Sequence, residues 1–214
     1  MGAPISVFLA DDHTMVREAL AGMLSKEPDI QVVGQCGDGL KVVEMTRSAR
    51  PDVIVLDVGM PGMNGLDICR QLTSRLPAAG VLILSMHNDE QIISTAFRNG
   101  ARGFLLKEGA ADQFPQAIRA VANGQTFLGN GVPRDALDLP YQTGQDLYDS
   151  LTTRERQVLQ LIAEGRTNRD VAKRLQVSVK TVDTHRTHLM QKLGINDQTT
   201  LVKYALKKGL IQLK

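Results

Sequence analysis

Five short apolar runs alternating with stretches of helical spacing constrain this chain more than any other feature. The runs are Ser6–Ala10, Ile30–Gly34, Val53–Asp57, Val81–Ser85 and Gly103–Leu106. Each is four or five residues long and rich in Val, Ile, Leu or Phe, as strands covered on both faces must be. Between them, Val16, Leu20, Met23 and Leu24 fall on one helical face, and Ile92, Ile93, Ala96 and Phe97 line another. Phe114, Ile118, Val121 and Ala122 make the last such stripe. Strand–helix alternation repeated five times predicts a doubly wound α/β domain: a five-stranded parallel sheet with helices on both faces, over residues 1–129.

The periodicity stops near residue 130, and the Pro/Gly/Gln/Asp mixture up to residue 150 reads as a linker. Residues 151–214 are helical throughout. Thr152 or Thr153 caps a first helix with Glu155 nearby, and Gly165 ends it. Thr167 or Asn168 opens a short helix carrying Val171, Ala172 and Leu175. A tight turn at Val177-Ser178 leads into a longer polar helix ending at Leu193-Gly194, and Asp197 caps a final one. Short helix, three-residue turn, longer helix is the helix-turn-helix pattern, so a small all-α domain follows the sheet domain.

Charge divides the same way. Residues 1–130 hold 11 Lys/Arg against 14 Asp/Glu, whereas residues 151–214 hold 13 against 5, a net of +8. A basic helical module behind an acidic domain points to nucleic acid as a partner. No run approaches the roughly 18 apolar residues of a membrane helix, and no export signal opens the sequence, so a cytoplasmic location without membrane contact is expected. Cys36 and Cys69 have no CxxC partner and read as reduced packing thiols.

In an open parallel sheet the ligand site lies beyond the carboxyl ends of the strands. Strand one ends there in Asp11-Asp12, strand three in Asp57, strand four in Ser85 and strand five in Lys107. Three converging carboxylates need a cation, and oxygen-only ligands suit Mg²⁺. A carboxylate-bound magnesium beside a lysine is equipment for receiving a phosphoryl group, with one aspartate as the attacking nucleophile.

These segments, Leu9-Ala10-Asp11-Asp12-His13, Asp57 to Gly65, Leu84-Ser85-Met86-His87 and Leu106-Lys107, resemble the flavodoxin-like receiver domain of two-component response regulators. Residues 151–211 resemble the LuxR-type helix-turn-helix, so the whole is similar to the NarL/FixJ class. The resemblance implies a phosphorylation-controlled DNA-binding transcription regulator, with Asp57 as phosphoacceptor for a sensor histidine kinase. It also implies Mg²⁺ held by Asp12, Asp57 and the Gly59 carbonyl with help from Asp11, and Lys107 paired with the phosphoryl oxygens. Ser85 and Phe104 become a switch pair in which the hydroxyl moves to the phosphate and the ring turns into the vacated space. Phosphorylation is then expected to promote homodimerisation or release of the DNA-binding domain. A haloacid-dehalogenase-like hydrolase carries an acid two residues after its nucleophile; Gly59 stands there, so a switch rather than an enzyme is expected. A phosphate-independent DNA binder using the receiver as a dimerisation scaffold is the alternative; loss of an acceptor or metal carboxylate would mark it, and all are present.

On a 100° wheel, Val182, Leu189 and Leu193 share the core side of the long helix, opposite Lys180, Thr184, Thr187 and Gln191. The resemblance places base reading on Asp183, Thr184 and Thr187, with Asp183 and His188 at the shoulders of the exposed face. Thr184 and Thr187 suit base edges or a thymine methyl, and Asp183 suits cytosine N4. Lys180, Thr181, Arg186, Lys192 and Arg169 are expected to contact phosphates of double-stranded DNA. His185 and His188 lack a third partner for a metal.

Overall fold

The computed structural model describes residues 3–109, 111–137 and 147–211. The chain falls into two compact units that part near residue 140.

The first unit is a parallel six-stranded sheet in the order β2-β1-β3-β4-β5-β6. Its strands are β1 (Ile5–Ala10), β2 (Ile30–Cys36), β3 (Val53–Asp57), β4 (Gly80–Ser85), β5 (Gly103–Leu106) and β6 (Phe127–Leu128). Five helices connect them: α1 (Thr14–Leu24), α2 (Gly39–Ala49), α3 (Gly65–Arg75), α4 (Glu90–Arg98) and α5 (Phe114–Ala122). Side chains alternate across the sheet. Val7, Leu9, Val53, Val55, Leu82, Leu84 and Leu105 form one core with Leu20 and Leu24 of α1 and with Phe114, Ala117, Ile118 and Val121 of α5. Helices α2, α3 and α4 cover the other face.

Two expectations are corrected here. The sheet has a sixth strand: Phe127–Leu128 pairs in parallel with Gly103–Phe104. Two residues are too few to show a period in sequence, and the strand exists only because β5 offers a free edge to pair with. Residues 130–137 belong to the first unit rather than to a linker. A 3-10 turn at Arg134–Leu137 packs on α4, burying Ala136, with Val132 buried beside it. One turn presents too few apolar residues for a stripe. Of the expected linker, residues 138–146 lie outside the described residues.

Register fixes the sheet's functional end. Ala10 lies beside Leu56, and Asp57 beside Leu84, which lies beside Leu105. Asp57 at the end of β3, and Asp11 and Lys107 just past β1 and β5, therefore continue the alternating rows of Val55, Leu9 and Leu105. The order β2-β1-β3 makes the crevice between β1 and β3 the switch point, where the chain winds off in opposite directions.

The second unit starts with a 3-10 turn at Leu147–Ser150 and continues in α6 (Thr153–Ala163), α7 (Asn168–Leu175), α8 (Val179–Leu193) and α9 (Gln198–Lys207). Every N-terminus is capped. Thr152 with Glu155 and Thr167 with Asp170 form capping boxes, and Ser178 and Asp197 accept from the N–H groups of Thr181 and Thr200. Gly194, at φ 65°, closes α8 in the left-handed conformation. The three residues Gln176–Ser178 separate α7 from α8.

Gly65, at the start of α3, touches the strand that carries Asp57. A Cβ there would overlap the Asp57 carbonyl oxygen and stand 2.9 Å from Val58 Cα, both rigid backbone. Gly65→Ala is expected to lower stability by about 3 kcal/mol, since neither element can yield without breaking its hydrogen bonds. A urea titration of the full chain checks this, and an unchanged midpoint would contradict it.

Candidate functional site

Lys107 is the centre of the constellation at the sheet edge. Its Nζ lies 2.7 Å from Asp11 Oδ2 and 3.0 Å from Asp57 Oδ1, with only 11% of its side chain exposed. Burial pulls the ammonium's pKa down, but Asp57 and Asp11 outweigh this and hold it above the ordinary lysine value. Asp57 moves the other way. Burial pushes its carboxyl above the usual range, Lys107 and the Gly59 N–H oppose the rise, and the Asp11 charge adds to it.

Asp11 is buried, and its Oδ1 accepts from the His13 backbone N–H at 2.8 Å. Asp12 is half-buried, with Oδ1 2.7 Å from His13 Nδ1. Asp11 Oδ2 and Asp12 Oδ1 are sealed from solvent, the first 2.7 Å from Lys107 Nζ and the second 2.7 Å from His13 Nδ1. Ligand atoms of Asp11, Asp12, His13 and Asp57 all lie within 4.8 Å of one another. Three clustered carboxylates with one ammonium among them fit a hard divalent cation such as Mg²⁺.

Ser85 and Phe104 sit on the adjacent strands. The Ser85 hydroxyl donates to the His87 carbonyl and accepts from the His87 N–H, both at 3.0 Å. It therefore holds the loop after β4. Phe104 is fully buried on β5, level with Ile83. In this state its ring lies inside the first unit.

Sequence reasoning missed Arg17. From α1 its guanidinium reaches back to the Asp11 carbonyl at 2.5 Å and to Thr14 Oγ1 at 3.2 Å, bracing the loop that carries the carboxylates. The available signal was its place one turn into the helix that follows Asp11-Asp12.

In the second unit, α8 buries Val182, Leu189 and Leu193. Lys180, Asp183, Thr184, Thr187, His188 and Gln191 are exposed on it, and Thr181 and Arg186 are half-buried. Arg169 is exposed on α7. Some expected DNA contacts are engaged within the fold. Asn168 Nδ2 donates to Asp183 Oδ1 at 2.5 Å, while Arg186 donates to Asn168 Oδ1 at 3.4 Å and to Gln198 Oε1 at 3.3 Å. Lys192, expected on a phosphate, instead donates to the buried Glu155 carboxylate at 2.7 Å and to the Ser150 carbonyl at 3.3 Å. Burial pushes Glu155 up, but the bonds from Lys192 and Thr152 outweigh it and hold the carboxyl below its ordinary range. The packing of α6 against α8 brings Glu155 beside Lys192.

Family models and known proteins bear on this arrangement. A model for the response regulator receiver domain matches residues 7–119, and one for bacterial regulatory proteins of the luxR family matches residues 149–205. The oxygen regulatory protein NreC of Staphylococcus carnosus (strain TM300) is 36% identical over 215 residues, spanning 97% of this chain and 99% of NreC. The RcsB response regulator of Salmonella typhimurium has a solved structure that is 28% identical, with a TM-score of 0.59 over 95% of this chain and 98% of that one. A structure of an RcsB–DNA complex is also 28% identical, with a TM-score of 0.58 over 94% of this chain and 97% of that one.

Two outcomes are expected. The raised Asp57 pKa means that the folded state binds this proton more tightly than the unfolded chain, so wild-type stability falls as pH rises through that pKa. Asp57→Asn, always neutral, should melt with the wild type in acid and gain on it as pH rises through that pKa. Melts in EDTA across that range test it, and parallel profiles would contradict it. Lys192→Ala should cost about 1–2 kcal/mol, discounted for its partial exposure, by leaving Glu155 buried without its partner. A lysine that served DNA alone would leave stability unchanged.

Proposed function

The chain belongs to the two-component response regulators of the NarL/FixJ class, and we propose that a phosphoryl group on Asp57 controls its binding to promoter DNA. The observation that carries this reading is Lys107 spanning Asp11 and Asp57 at the sheet's switch point, with the Asp12 carboxylate in the same cluster.

A sensor histidine kinase is the proposed donor. Asp57 attacks the phosphorus of its phosphohistidine: the new O–P bond forms in line as the P–N bond breaks, and the leaving imidazole nitrogen takes up the electron pair and then a proton. Lys107 and the Gly59 N–H favour the ionised nucleophile against the burial that raises its pKa. Asp11, Asp12, Asp57 and the Gly59 carbonyl are the residues that would hold Mg²⁺, which when bound neutralises charge on the equatorial phosphoryl oxygens. Arg17 keeps the Asp11 loop in place. With Gly59 two residues after the acceptor, no carboxylic acid stands ready to speed hydrolysis, which suits a switch better than a turnover enzyme.

The new phosphate competes for the Ser85 hydroxyl. Drawing it away from His87 breaks both bonds that hold the loop after β4, so a local charge event becomes a change of loop structure. In a fully packed sheet the buried Phe104 must repack with that loop.

On the DNA side, α8 is the proposed recognition helix in the major groove. Lys180, Thr181 and Arg169 serve phosphates, Thr184 and Thr187 serve bases, and Asp183, Arg186 and His188 lie at the margin. RcsB dimers have been seen bound to DNA; for this chain a homodimer on two half-sites about one helical turn apart is proposed. No helix among the described residues is long and apolar enough to cross a membrane, in keeping with a proposed site of action in the cytoplasm.

Site selection from random duplex DNA, with and without beryllofluoride and Mg²⁺, tests the coupling. A paired-half-site sequence enriched about 5–150-fold more strongly with the phosphate mimic is expected, and Asp57→Ala should lose that difference. Equal enrichment in both arms would leave DNA binding standing and remove the switch.

A further inference from the structure

Thr184 and Thr187 lie on the exposed face of α8 with both hydroxyl hydrogens already committed. Thr184 Oγ1 donates to the Lys180 carbonyl and Thr187 Oγ1 to the Asp183 carbonyl, each at 3.0 Å. A threonine whose oxygen turns back on its own helix directs its methyl away from that carbonyl, so a pair of methyl groups is what this face offers a partner. Asp183, which precedes both threonines, offers less than it seems to in sequence, because one of its oxygens is held by Asn168.

We propose, building on the DNA-binding reading above, that Thr184 and Thr187 select their site by apolar contact with thymine C5-methyl groups rather than by hydrogen bonds to base edges. Thymine alone among the four bases carries an apolar group on its major-groove edge. A hydrogen bond donated to a base would require each hydroxyl to give up its carbonyl, whereas a methyl contact leaves the helix as it stands. Residues three apart on a helix have Cβ atoms about 5–6 Å apart, against a base rise of about 3.4 Å, so the two thymines lie one or two steps apart in each half-site. Exposed Lys180, at the N-terminal end of the same stripe, is placed to meet a phosphate beside them. The hydroxyl oxygens keep lone pairs that can accept from adenine N6 or cytosine N4, and the test separates that mode from this one.

The full-length protein with beryllofluoride and Mg²⁺ is used to select a duplex site, and each thymine is then replaced in turn by deoxyuridine, which lacks only the methyl. Wild type should lose about fourfold in affinity at one or two positions per half-site, the value of one buried methyl. Thr184→Val and Thr187→Val, which keep a methyl and lose the hydroxyl, should retain the thymine-over-uracil ratio. Thr184→Ser and Thr187→Ser, which do the reverse, should each abolish it at one position. Uracil tolerated throughout by the wild type, or a ratio kept by the serine variants and lost by the valine variants, overturns the proposal while leaving DNA binding intact. Failure to enrich any sequence overturns the DNA-binding reading itself.

Discussion

An ammonium buried between two carboxylates organises the first unit. Lys107 would be costly at the end of an apolar sheet without Asp11 and Asp57, and the two aspartates would repel one another without it. This mutual dependence ties the end of β5 to those of β1 and β3 across the intervening β4. The cluster is still not neutral. Asp12 brings a third carboxylate, and one ammonium leaves room for a further cation and an incoming anion, which are the two ligands that phosphoryl transfer brings. The geometry that stabilises the sheet edge thus also sets its chemistry.

The second unit is governed by how its polar groups are shared out. Four side-chain caps fix where the helices begin, and Glu155, a partner in one of them, also holds Lys192. Asn168 links α7 to Asp183 and Arg186 of α8. These bonds link the two helices of the helix-turn-helix, and they occupy residues that appear free when the helix is drawn alone. What remains available on the exposed face is shorter and more apolar than composition suggests.

Comparing sequence with structure shows where local signals suffice. Strands β1 to β5 were legible because strands buried on both faces carry unbroken apolar runs, and the caps were legible because Thr, Ser and Asp satisfy helix N–H groups at short fixed offsets. Asp11, Asp12, Asp57 and Lys107 were legible as strand-end residues, since the carboxyl edge of a parallel sheet gathers whatever follows each strand. Strand β6, the turn at Arg134–Leu137 and the brace from Arg17 left no periodic trace, for each depends on a surface that another element supplies.

The sequence by itself determined the two-unit plan, the parallel sheet with its acidic edge and the helix-turn-helix with its buried stripe, because these follow from period, capping and chain order. Only the tertiary structure decided the state of individual polar atoms. It turned the Ser85 hydroxyl to His87, set Phe104 inside, gave Lys192 to Glu155 and committed the hydroxyls of Thr184 and Thr187 to their own helix. The reason is physical: a hydrogen bond is settled within fractions of an ångström by groups distant in the chain or by a rotamer, and residue order records neither.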